Sequence, residues 1–374
     1  MQRTKPRMSR FRAIMILLGI IAVLAILGVI VAGIASRNSA PSTVVASKLP
    51  CEYNDTLTPF GSSVLYYDGA SIFCLSSQGA VRWSFRIGSD AGFSCTDQVA
   101  VAWAGSTIYI LDQNGNSSYN DNLGDTIQFA RAGTQYIGAV VGDTTNCRLV
   151  VKDHTGAHMD EESDAYEKLI LLDLGFYGRN GEYMWTLALD VFGTASNTIL
   201  NTFEVGKMNT GEVDMGEGIT YGVVYENSIL RVIGTRKMRS FNYSATEDTT
   251  AATLVYGWRM IEKEIPQKGS AMLLFAPTTQ TENQFDIREL RVIAGDTDKR
   301  YSLPDTCVGA TVSGKLVYAI SGTKLYRAGL KDNRFSEYDL PINRTVTRYI
   351  GSLTDGHALV ACDTEVYVVS LPQN

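Results

Sequence analysis

Histidine is scarce in this chain, with three among 374 residues. Imidazole-dependent acid–base or metal chemistry therefore has few places to sit. The six cysteines, Cys51, Cys74, Cys95, Cys147, Cys307 and Cys362, form no C-x-x-C pair, which removes zinc-ribbon and thioredoxin-like readings. There is no G-x-S-x-G elbow and no Gly-rich phosphate loop, so triad hydrolysis and phosphate cradling lack their sequence support. Residues 1–37 contain no Asp or Glu, and beyond them no long stretch repeats its apolar residues every 3.6 positions.

What is present begins with residues 13–35, an uncharged apolar run preceded by Arg3, Lys5, Arg7, Arg10 and Arg12 and followed by Arg37. As a helix it would be about 35 Å long, enough for a hydrocarbon core about 30 Å thick. The basic flank predicts a cytoplasmic tail at 1–12 and everything after the span outside, because cations resist translocation. A cleaved signal ending at Gly33-Ile34-Ala35 is the rival, but its apolar core would be shorter. Lys48-Leu49-Pro50 before Cys51 lacks the small residues of a lipobox. Within the span Ala25, Gly28, Ala32 and Ala35 form a small-residue stripe suited to a helix–helix contact, set against ordinary Ala and Gly content.

Beyond Arg37 there are 27 Lys and Arg against all 39 Asp and Glu, a net charge of −12. Such a surface repels phosphate backbones, so no nucleic-acid partner is expected. Residues 36–50, rich in Ser and Ala, read as a linker, and 51–374 as one all-β extracellular domain.

Short strands with alternating polarity follow one another between Gly, Asp and Asn turns. Val81, Trp83, Phe85 and Ile87 alternate with Arg82, Ser84 and Arg86, a strand with one wet face. The turns Ser76-x-x-Gly79, Asp112-x-x-Gly115 and Asp153-x-x-Gly156 are 36 and 41 residues apart, the repeat of a four-stranded propeller blade. Trp83 and Tyr119 each stand four residues after their glycine, placed to cover the gap between blades, whereas Asp160 breaks the third copy. Weaker units recur at 173–189, 221–241, 271–293, 316–330 and 358–371. About 45 residues per blade gives a β-propeller of about seven blades, with six and eight as bounds and a sandwich array as the rival. The pair at 358–362 and 365–370 is expected to close a blade with a strand near residues 52–60. Cys74 and Cys362 lie in apolar runs and read as packed free thiols, with one or two bridges as the alternative.

Leu75-x-x-x-Gly79-x-x-x-Trp83 and Leu111-Asp112-x-x-Gly115 resemble the repeats of WD40-like and quinoprotein-type propellers. With the N-terminal span, the chain resembles an uncharacterised Gram-positive family of single-pass proteins with a propeller ectodomain. That resemblance implies architecture and no catalytic residues. Quinone-dependent propellers carry more regular Trp-bearing repeats, so no quinone and no other cofactor is expected.

His154 and His158, with Asp153, Asp160, Glu161, Glu162 and Asp164, form the densest set of metal-ligand types. Asp153 to Gly156 reads as a strand-connecting turn, which denies the two imidazoles helical spacing, so a solvated acidic insertion is preferred and no metal residue is assigned. Ser77 to Trp83 is superficially like a sialidase box without its Asp and reads as blade packing. Asn54, Asn116, Asn242 and Asn343 begin N-x-S/T sequons and mark exposed turns. The expectation is a membrane-anchored propeller that binds a protein or envelope component as scaffold or sensor. The alternatives are a glycan-active hydrolase or lyase with carboxylates at the channel, and a calcium or ligand sensor.

Overall fold

Alternating apolar residues between tight turns leave the backbone one economical solution: hairpins whose ladders satisfy every amide while one face packs. The computed structural model describes residues 43–163, 166–207, 209–266, 269–281 and 286–373. The span at 13–35, its basic flank and its small-residue stripe lie outside them, and among the described residues no helix is long and apolar enough to cross a membrane.

The described strands make six four-stranded sheets and one seven-stranded sheet, all of antiparallel neighbours. In the larger sheet the first half of Thr297–Ser313 pairs with Ile287–Ala294 and the second half with Leu316–Ser321, so one strand serves two blades. The result is an eight-bladed propeller, at the upper bound of the expected count. Blades 1 to 7 cover residues 58–86, 91–122, 127–162, 170–217, 220–254, 258–302 and 307–339. Blade 8 joins 348–370 to the N-terminal strand Ala46–Glu52, which pairs with Glu365–Ser370. A clasp was expected, but its strand lies at Ala46–Glu52, mostly inside the segment read as a linker, and not near residues 52–60, where Thr58–Phe60 opens blade 1. Leu49 and Cys51 are buried between exposed neighbours, and Pro50 is tolerated because an outermost strand needs no amide on its free side.

Inner strands meet around the ring: Cys95 Sγ lies 3.3 Å from Pro59 O, Ala132 N donates to Ser94 Oγ (3.3 Å), and Met260 N donates to Tyr221 Oη (3.0 Å). Apolar side chains fill the space between sheets. Phe60, Leu65, Ile72 and Cys74 of blade 1 pack with Ala100, Ala102 and Leu111 of blade 2, and equivalent clusters follow around the ring. All six cysteines are free thiols and all but Cys95 are buried.

The expected aromatic covers are real. A Cβ on Gly115 would lie 2.4 Å from the Trp83 ring, and one on Gly156 would lie 2.2 Å from the Tyr119 ring. Each aromatic reaches from the outer strand of one blade onto the turn glycine of the next. Trp83 Nε1 donates to Gln113 O (2.8 Å), and Lys152 Nζ reaches Tyr119 Oη (3.2 Å) and Asp121 Oδ2 (3.1 Å). Asp160 has a role where it breaks the pattern: its Oδ2 accepts from Gly206 N (3.2 Å) in the corresponding turn of blade 4. A carboxylate thus replaces the ring as the joint.

The meander fixes two faces. Connections between blades and the turns between second and third strands share one face, called here the link face; the other two turns of each blade share the opposite face. Val45 and Ser370 bond to each other twice, so the chain enters and leaves the ring on the face opposite the links.

Candidate functional site

The acidic insertion disperses its ligand-type residues. Asp153 Oδ1 accepts from Thr155 N (2.8 Å) and Ala157 N (2.9 Å), closing the turn, and His154 Nε2 lies 3.1 Å from Gly133 O. His158 is exposed on the strand His158–Glu162, Glu161 pairs with Arg148 (2.7 Å), and Asp160 holds Gly206; Asp164 lies outside the described residues. Among the described residues no group of three His, Cys, Asp or Glu is placed to hold a metal ion. His357 Nδ1 meets Asp355 Oδ1 at 2.8 Å in a turn of blade 8.

The inner strands carry the charged groups of the ring centre. Arg131 Nε of blade 3 donates to Asp173 Oδ1 of blade 4 (2.8 Å). From blade 6, Glu262 Oε2 accepts from Tyr349 Oη of blade 8 (2.7 Å), and Tyr349 Oη also lies 2.9 Å from Ser352 Oγ, itself 2.7 Å from Thr311 Oγ1. Burial raises the Glu262 pKa above the ordinary carboxylate range, against the opposing hydrogen bonds of Lys263 N and Tyr349. Desolvation lowers the pKa of the neighbouring Lys263, and the charges of Glu262 and Asp173 offset only part of it. Both central carboxylates are taken by protein donors.

Beside these groups a cavity of about 550 Å³ opens in the wall of blades 1 to 3, lined by Thr58, Phe93, Ser94, Trp103 and Arg131. Asp55 is the only carboxylate among its described lining residues.

The link face differs. Phe192 is 64% exposed, Ile219 56%, Leu254 70% and Tyr256 72%. They occupy the second-to-third-strand turn of blade 4 and the connections from blade 4 to 5 and from 5 to 6, so three neighbouring loops present apolar side chains on one side of the ring. Two of those loops are bonded to the second-to-third-strand turn of blade 5: Thr235 N donates to Ile219 O (3.0 Å) and Val255 N to Arg236 O (2.9 Å), while Trp258 N donates to Val255 O (2.9 Å). The turn residues are held in place although their side chains are bare. Sequence reasoning missed this surface because its residues come from separate stretches of chain, and only the face assignment brings them together.

No family model matches the chain, and no curated protein matches it. Solved structures do. Sqt1 of Saccharomyces cerevisiae superposes with a TM-score of 0.59 at 10% identity, over 88% of this chain and 100% of its own. BamB from Moraxella catarrhalis gives 0.54 at 9% identity, over 88% and 99%. A chain of the Mitotic Checkpoint Complex gives 0.50 at 9% identity, over 81% and 92%. At such identities the likeness establishes the β-propeller and WD40-like fold alone.

Proposed function

We propose that the chain is a non-enzymatic, membrane-anchored propeller displayed outside the cell, of the single-pass Gram-positive kind its sequence resembles, which binds a protein or envelope component as scaffold or sensor. The observation that carries this reading is the bare apolar surface on the link face, formed by Phe192, Ile219, Leu254 and Tyr256. Contiguous apolar side chains on loops that are themselves well bonded mark a contact surface. Strands reach that surface from the opposite face, where residue 43 enters the ring. One similar propeller is a component of the Mitotic Checkpoint Complex, an assembly use of the same fold. The channel favours this reading over the hydrolase, since its carboxylates are bonded to protein groups and the adjacent cavity offers a single acid.

Crosslinking in intact cells with a photoreactive residue at position 192 or 256 tests the reading. Discrete adducts that vanish when the reactive residue is moved to Arg86, on the outer strand of blade 1, support it. Equal labelling from all three positions counts against a specific surface. Protease added to whole cells should shorten the C-terminal domain, and complete protection would overturn the extracellular placement.

A further inference from the structure

The link face holds a groove as well as a patch. Between blades 4 and 5 lies a cleft of about 380 Å³ whose walls include Met215, Ile219 and Leu254 and whose rim carries Arg236 and Lys237. Arg239 also lines it, but its guanidinium is committed: Nε donates to Glu247 Oε1 (2.7 Å), Nη2 to Glu247 Oε2 (2.5 Å), and Nη1 to Met215 O (3.2 Å). That clamp fixes one wall. Arg236 and Lys237 are exposed and stand where the second-to-third-strand turn of blade 5 meets Leu254, the register partner of Lys237. The domain carries a net charge of −12, so two exposed cations beside exposed aliphatic side chains are a local reversal of its sign.

We propose that this cleft is a peptide-docking site whose occupant is an extended protein segment bearing a carboxylate next to a bulky apolar residue. This rests on the binding-scaffold reading and names its partner chemistry. The apolar side chain would enter between Met215, Ile219 and Leu254, and the carboxylate would meet Arg236 and Lys237. Charge complementarity selects this occupant over a second copy of the chain, because like-charged domains of −12 repel each other on approach. The same cations, flanked by well-bonded loops, make the site pre-organised, which lowers the ordering cost of association. An acid alone would be held only by exposed charges and weakened by salt, whereas the adjacent apolar pocket supplies a term that salt does not screen.

The test uses the full chain in detergent and a displayed library of random seven-residue peptides, selected in parallel on the parent and on the R236E/K237E variant. Asp or Glu adjacent to Leu, Ile, Met or Phe should be enriched on the parent at least tenfold over the variant, and the variant should instead favour Lys or Arg at the same place. A synthetic peptide of the enriched pattern should bind at least tenfold more weakly to Leu254→Ser, a change at an exposed position that leaves folding intact. Enrichment that is the same on both proteins, or no enrichment on either, overturns the proposal. A concentration-dependent rise in mass that Leu254→Ser abolishes would assign the groove to a second copy and also overturn it. Cell crosslinks from positions 192 and 256 that survive R236E/K237E would sink this groove while sparing the scaffold reading; loss of all specific crosslinks in the parent sinks the reading itself.

Discussion

Gly115 offers the sharpest test of how the blades are joined. Its backbone is left-handed, at φ +77°, and its missing Cβ leaves room for the Trp83 ring. Gly115→Ala imposes two separable penalties. An L-residue in that conformation costs about 1–2 kcal/mol. Displacing a packed indole adds about 1–3 kcal/mol, and breaking the Trp83 Nε1 bond to Gln113 O adds about 1 kcal/mol. The expected loss is thus about 3–6 kcal/mol. Gly105 supplies the control, since it is also left-handed, at φ +57°, with nothing within 4 Å of an added Cβ. Gly105→Ala should lose only the conformational part. Urea unfolding of the full chain in detergent, followed by tryptophan fluorescence for the alanine variants and by far-ultraviolet circular dichroism for any protein lacking Trp83, measures both. Introducing Gly115→Ala into a Trp83→Ala background should cost at least about 1.5 kcal/mol less than in the parent, because the ring it would strike has gone. Equal losses at Gly105 and Gly115, or additive changes in the cycle, would refute the claim that the indole holds blades 1 and 2 together.

Other outcomes follow from the same geometry. Both side-chain atoms of Asn201 are buried without a hydrogen-bond partner among the described residues, so Asn201→Leu should stabilise the protein by about 1–2 kcal/mol in thermal unfolding; destabilisation would show that an unseen partner satisfies them. Hydrogen bonds from Thr155, with further backbone donors, hold the Asp153 carboxyl below its ordinary 3.8 against a smaller desolvation term. A depressed acid stabilises above its unfolded pKa and loses that contribution as pH falls, so Asp153→Asn should flatten the stability profile below about pH 4. Glu262 behaves oppositely. Its raised pKa means that the unfolded chain ionises first, so stability falls as pH rises above 4.5, and Glu262→Gln, which can still accept from Tyr349, should raise the unfolding midpoint at pH 7. Burial pushes the Cys95 thiol up to about 12, so iodoacetamide at pH 8 should label it only after denaturation; rapid labelling of the native protein would contradict its placement.

The second and third strands of most blades were legible because one face of each packs and the turns between them are Gly- or Asp-bearing. Glu365–Ser370 coincides with its expected limits, and His357–Cys362 begins one residue before the expected start. The innermost strands of the first three blades were not read. Thr58–Phe60 and Ala91–Cys95 are short, and neighbouring blades flank both of their sides, so no alternation survives. Register shifts between Ile127 and Phe129, between Leu171 and Asp173, and between Met260 and Glu262 disturb the period further. Dividing by an assumed 45 residues per blade, longer than the 36 and 41 between the first three turns, gave about seven blades in place of eight. The aromatic covers on Gly115 and Gly156 were visible because their spacing is local. The link-face groove was not, because Met215, Ile219, Arg236 and Leu254 converge only when two blades stand side by side.

Closing the ring with its own two ends has a consequence for biosynthesis. Val45 and Ser370, which bond across the clasp, are 325 residues apart in sequence. At roughly 5–20 residues per second, the opening strand waits about 15–65 s on the ribosome before its mate has been made. Until then blade 8 consists of its outer strand alone and blade 1 lacks a neighbour to lean on. A chain interrupted between residues 340 and 364 would carry seven formed blades and one raw gap, so the ring closes only when Glu365–Ser370 arrives to pair with Ala46–Glu52.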